Sequence, residues 1–212
     1  PANRVALIAE GAASFGRVVA RASPKAPAIF VYISPDRTTV VNCDKSGIGY
    51  RDSFEWGGKI LFGEVVRQLG VGDNIAEHTL LSERQGFGSP NFRKKIGDLL
   101  AREYHIFQNG VQEAVATSDA KNIYIAAAHA LPEFISRVHI KNKSGRLLNI
   151  STVSENFISE SVGFEVKWKS GSDKVLLQHI PIHVLDAYLA PQYELAKTFV
   201  RRRIRWLMGQ VD

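Results

Sequence analysis

The segment Gly163-Phe164-Glu165-Val166-Lys167-Trp168-Lys169 has the residue types for metal-assisted hydrolysis. On a β-strand, side chains two residues apart project from one face, so the Glu165 carboxylate and the Lys167 ammonium stand side by side. A carboxylate there can hold a hard divalent cation, and the adjacent ammonium can act on a water bound to it. The same alternation also describes a half-exposed strand, with Phe164, Val166 and Trp168 inward and Glu165, Lys167 and Lys169 outward. A second grouping is His179-Ile180-Pro181-Ile182-His183 with Asp186, metal-ligating types on either side of a proline break but at no fixed metal-site spacing. Covalent acyl transfer is not expected. The chain has no Gly-x-Ser-x-Gly elbow, and Cys43, its one cysteine, has no local histidine. A single cysteine also excludes an intrachain disulfide and a cysteine-based zinc cluster.

The Glu165-x-Lys167 pair resembles the closing half-motif of the PD-(D/E)xK nuclease superfamily, which includes many restriction endonucleases, with Pro132-Glu133 in the place of the upstream acid. The resemblance implies Mg²⁺ held by Glu133 and Glu165, Lys167 working on the attacking water, and hydrolysis of a phosphodiester bond in DNA. Arg17-Val18-Val19-Ala20-Arg21, followed by Asp44-Lys45-Ser46-Gly47-Ile48-Gly49, resembles the RxxxR and [D/N]xSxxG pair of PilZ domains. That resemblance implies a non-enzymatic module for cyclic di-GMP, with Arg17 and Arg21 on phosphate and guanine and Asp44 and Ser46 closing the site. A protein-interaction role with no catalytic site is the third reading.

The charge balance favours a polyanion. The net charge is +6, spread along the chain. This points to nucleic acid, DNA ahead of RNA. Lys197, Arg201 and Arg205 recur at helical spacing opposite the apolar row Ala196, Phe199, Val200, Ile204 and Leu207, as a phosphate-tracking surface or simply a solvated face. Arg203 falls inside the apolar row and needs a partner or a route to water. Arg93, Lys94 and Lys95 fall in the first turns of another helix, where the helix dipole disfavours cations and a bound phosphate would relieve the conflict. A homodimer is an admissible assembly. No apolar run approaches the ~20 residues of a membrane span, the N-terminus is a poor secretory signal, and a cytoplasmic location is expected.

The elements that must position these residues read as follows. Apolar residues at Val5, Ile8, Ala12, Phe15, Val18 and Ala22 predict a helix over 4–22, weakened by Gly11 and Gly16. Residues 28–33 and 38–43 read as paired strands around the turn Ser34-Pro35-Asp36-Arg37. Helices are expected over 59–69, over 75–83, and from a Ser89 cap with Pro90 at the first position to about residue 103. Asn109-Gly110 between apolar runs 104–107 and 111–116 predicts a hairpin. A strand follows at 122–127, then a β-meander over 137–180 whose first turn is Asn142–Gly145, and a basic amphipathic helix over 192–208. The expectation is one α+β domain over residues 1–212, with N-terminal helices and a strand pair and a largely antiparallel second half.

Overall fold

The computed structural model describes residues 10–22, 27–44, 47–84, 86–127 and 138–153. The chain is α+β and its centre is a mixed five-stranded sheet. Helix α1 (Glu10–Ala22) leads into β1 (Ala28–Ile33), β2 (Thr38–Asp44) and β3 (Gly47–Phe54). Three helices follow, α2 (Gly58–Leu69), α3 (Asp73–Arg84) and α4 (Pro90–Val115), then β4 (Asn122–Ala127) and β5 (Asn149–Thr152). The strand order is β3-β2-β1-β4-β5. β1, β2 and β3 are antiparallel neighbours, whereas β4 lies parallel to β1 and β5 parallel to β4.

β1 is central and buried along its whole length, as an unbroken apolar run should be. Its alternate residues feed two cores. Ile29, Val31 and Ile33 meet the layer of α2, α3 and α4, whereas Ala28, Phe30 and Tyr32 meet α1 on the opposite face. Helix α1 lies across β1, β2 and β3. It can do so because Gly16 has no side chain: a Cβ there would sit 3.1 Å from Ile48 Cγ2 and 3.3 Å from Val41 Cγ2. The Cys43 thiol donates to the Gly16 carbonyl at 3.4 Å, and burial, with the Asp44 charge second, pushes that thiol up to about 12.

Several expectations are corrected here. Asn109-Gly110 is not a hairpin; it lies inside α4, which continues to Val115. The buried residues Ile96, Leu100, Glu103, Phe107, Val111 and Ala114 keep a helical period straight through it. Gly110 is there for space, because a Cβ would lie 2.7 Å from Phe54 Cε2 and Cζ. The segment 47–54 is a strand that local composition did not announce. The Asn142–Gly145 turn is present, with Lys141 bridging Leu147, but β5 after it runs parallel to β4 and not antiparallel. The remaining meander strands and the 192–208 helix lie outside the described residues.

Candidate functional site

In an open sheet with parallel strands, ligands enter at the carboxyl ends of the strands, where the strand order changes sense. Here that edge is formed by the ends of β1 and β4, paired at Ile33 and Ala127, with the β2 hairpin on the other side of β1. Two pieces of chain cover it: the β1–β2 turn Ser34–Arg37 and the start of α2 at Gly57–Lys59.

Trp56 anchors the corner from below. Its indole is buried, lies 4.7 Å from the Phe107 ring, and donates from Nε1 to Glu103 Oε2 at 3.2 Å. The Trp56 carbonyl accepts from the buried Thr38 hydroxyl at 2.8 Å. Glycine 57 then brings the backbone against the turn. Gly58 N–H donates to the Ser34 carbonyl at 3.1 Å and Lys59 N–H to the Pro35 carbonyl at 2.8 Å. Within the turn, Ser34 N–H donates to the Arg37 carbonyl at 2.9 Å, and Arg37 N–H donates to Ser34 Oγ at 3.1 Å. On the outside, Lys59 Nζ meets the Asp36 carboxylate at 2.8 Å, an exposed pair.

Midway along the neighbouring ladder, β2 and β3 slip register between Val40 and Val41, which leaves Arg51 of β3 as a bulge residue. The bulge aims Arg51 at the end of α4, where it donates to the Ala114 carbonyl, to Thr117 Oγ1, and to Asn42 Oδ1 at 3.0 Å. A cation completing the last carbonyls of a helix satisfies both their hydrogen bonding and their dipole.

The sequence-derived site residues fall as follows. Glu133, Glu165, Lys167, Lys197, Arg201, Arg203, Arg205, His179, His183 and Asp186 lie outside the described residues, and so does the Mg²⁺ site expected of Glu133 and Glu165. Arg93, Lys94 and Lys95 are exposed on the first turns of α4. Ser89 caps that helix as expected, accepting Phe92 N–H on Oγ at 3.2 Å and Arg93 N–H on its carbonyl at 3.1 Å. Arg17 lies on α1 and Asp44 at the exposed end of β2, opposite Gly47; the Arg21 side chain and Ser46 are not among the described residues. Among the described residues no group of three or more His, Cys, Asp or Glu could hold a metal ion, and no helix is long and apolar enough to cross a membrane. Trp56, Glu103 and the Gly57–Gly58 pair were missed as corner residues. Two adjacent glycines directly before an apolar helical period were the available signal.

No protein-family profile and no curated protein sequence matches the chain. Solved structures do. A PilM–PilN type IV pilus biogenesis complex superposes with a TM-score of 0.54 at 13% identity, over 93% of this chain and 52% of that chain. The ethanolamine utilization protein EutJ from Carboxydothermus hydrogenoformans gives 0.45 at 17% identity, over 78% and 50%. An archaeal actin homolog gives 0.40 at 13%, over 84% and 54%. The first superposition shows a shared fold, and these neighbours are actin-like ATPase-fold proteins. The chain spans about half the length of these solved proteins.

This fold overturns both resemblances. It is not a restriction-endonuclease-like fold, so the Mg²⁺-dependent nuclease built on Glu133, Glu165 and Lys167 is wrong, and nucleic acid as the partner of Arg93–Lys95 and of Lys197, Arg201 and Arg205 falls with it. It is not a PilZ barrel either: the strands around Asp44 belong to an open mixed sheet, and residues 58–115 are mostly helical. Matches at the level of two or three side chains arose on a scaffold of another class.

Proposed function

We propose that this chain is a protein-docking platform on the actin-like ATPase fold, engaging another protein of the pilus-assembly kind as PilM engages PilN. The observation that carries this is the superposition on the PilM–PilN complex over 93% of the chain. The described structure supports it in kind. The sheet is tied to the helical layer at two places, by Gly58 and Lys59 at the β1–β2 turn and by Arg51 of β3 at the end of α4. A sheet held in this way presents a fixed surface, which lowers the ordering cost of association. A cytoplasmic location goes with the proposal, where a lone buried thiol such as Cys43 stays reduced.

The test is co-expression with a PilN-like protein from the same organism, followed by light scattering on the eluted species and calorimetry on the separated partners. A stoichiometric complex with a dissociation constant in the micromolar range, about −8 kcal/mol, is the expected result. Two folded proteins that elute separately and give no saturable heat at high micromolar concentration would reject the proposal.

A further inference from the structure

The name of the fold implies a nucleoside triphosphate, and the carboxyl edge of β1 is where its phosphates would have to be received. A tight turn receives phosphate through free backbone N–H groups gathered in a concavity. We propose that in this chain the β1–β2 turn is closed to phosphate and serves as a structural clasp, so that no nucleotide phosphate is held there.

The donors decide the matter one by one. Ser34 N–H is engaged by the Arg37 carbonyl at 2.9 Å, and Arg37 N–H by Ser34 Oγ at 3.1 Å. Pro35 has no N–H. Asp36 N–H is left, on a residue whose own exposed carboxylate faces an incoming anion with like charge. Of the two cations here, Lys59 already holds that carboxylate at 2.8 Å, and Arg37 of the turn is exposed. At the adjoining helix start, the Gly58 and Lys59 N–H groups are likewise engaged, by the Ser34 and Pro35 carbonyls.

The turn cannot easily lift to free these groups. A Cβ on Gly57 would stand 2.5 Å from both the Ser34 and the Pro35 carbonyl oxygens, which measures how closely the backbones are pressed together. Thr38, directly after the turn, is fixed to the Trp56 carbonyl at 2.8 Å, and Trp56 is buried against Phe107. The Ser34 and Pro35 carbonyls face the helix start, and the Ser34 and Arg37 N–H groups donate across the turn to the Arg37 carbonyl and Ser34 Oγ. This inference stands independently of the docking proposal: a chain that binds no partner could still have a closed turn, and one that binds a partner could have an open one.

The test uses the whole chain, uniformly labelled with ¹⁵N and titrated with Mg·ATP to millimolar concentration, with calorimetry in parallel. The expected result is that the amide signals of Ser34, Asp36, Arg37, Gly58 and Lys59 do not shift saturably. If saturable heat is seen without those shifts, and Lys59→Ala leaves it unchanged, the nucleotide sits elsewhere and the turn is closed as proposed. Saturable shifts at Asp36 and Arg37, with affinity reduced tenfold or more in Lys59→Ala, would place phosphate on the turn and overturn the inference.

Discussion

Replacing Gly57 by alanine should be among the most damaging single-methyl changes in this chain. The backbone at Gly57 is extended, with φ −158 and ψ −174, so alanine adopts it without strain and the whole cost is contact. The added Cβ would sit 2.5 Å from two carbonyl oxygens. Close carbon–oxygen approaches in proteins stop at about 3.3 Å, so the turn and the helix start must separate by nearly 1 Å. That separation lengthens the Gly58–Ser34 and Lys59–Pro35 hydrogen bonds, now 3.1 and 2.8 Å, beyond useful range. Each such bond contributes about 0.5–1.5 kcal/mol net, and residual overpacking adds about 1–3 kcal/mol. The expected loss is about 3 kcal/mol, or roughly 6–12 °C in Tm for a chain of this size. Gly63→Ala is the control: the site is mid-α2, exposed, and has nothing within 4 Å of the new Cβ. It should gain up to about 1 kcal/mol from helix propensity. Urea denaturation read by circular dichroism, with the m-value checked for constancy, measures both. A loss below about 1 kcal/mol in Gly57→Ala, or an equal loss in Gly63→Ala, would refute the clasp.

Two further outcomes follow from the buried groups. Glu103→Leu removes the acceptor of the buried Trp56 indole N–H and should cost about 1–3 kcal/mol, whereas Glu103→Gln keeps an acceptor and should cost less; equal losses in the two variants under urea would rule out a hydrogen-bonding role. Cys43 should resist a thiol reagent in the folded chain and react on unfolding, since burial and then the Asp44 charge push it up to about 12, against about 8.5 for a free thiol. The folded state keeps that proton across the interval while the unfolded state loses it. Stability from this group is therefore complete below pH about 8.5 and falls by up to about 1.4 kcal/mol per pH unit as pH rises towards 12. The slope should be absent in Cys43→Ala; identical alkaline slopes in the two proteins would contradict it.

The elements legible in the sequence are those whose local and tertiary demands agree. β1 is apolar throughout because it is covered on both faces, and Ser89-Pro90 starts a helix by satisfying its own orphan donor. Asn109-Gly110 misled because the strongest local turn dipeptide competes with a helical period that spans it, and the glycine answers to the Phe54 ring, far away in sequence. β3 carries Gly47, Gly49 and Asp52, poor strand formers, and is held by its ladder to β2. The candidate corner was only half legible. Ser34–Arg37 reads as a turn, but its closure by Gly58 and Lys59 is a long-range contact that no spacing announces. The nuclease and PilZ resemblances failed for the converse reason: Glu165-x-Lys167 and Arg17-x-x-x-Arg21 are spacings that any strand or helix surface produces.

A loop that receives a ligand must leave donors unsatisfied until the ligand arrives, and such loops come from the less stable parts of a fold. The Ser34–Arg37 turn is built the other way. Its Ser34 and Arg37 N–H groups and its Ser34 and Pro35 carbonyls are engaged within the chain, and its one strong negative charge is met by Lys59. Elsewhere in the sheet, in the middle of β3, a β-bulge turns Arg51 out of the ladder and onto the last turn of α4. Sheet and helical layer are thus joined at two separated points. Domain closure around a nucleotide requires surfaces that exchange partners, whereas a docking platform requires surfaces that keep them. The bonding at these two points is of the second kind, and it supports the docking role we propose.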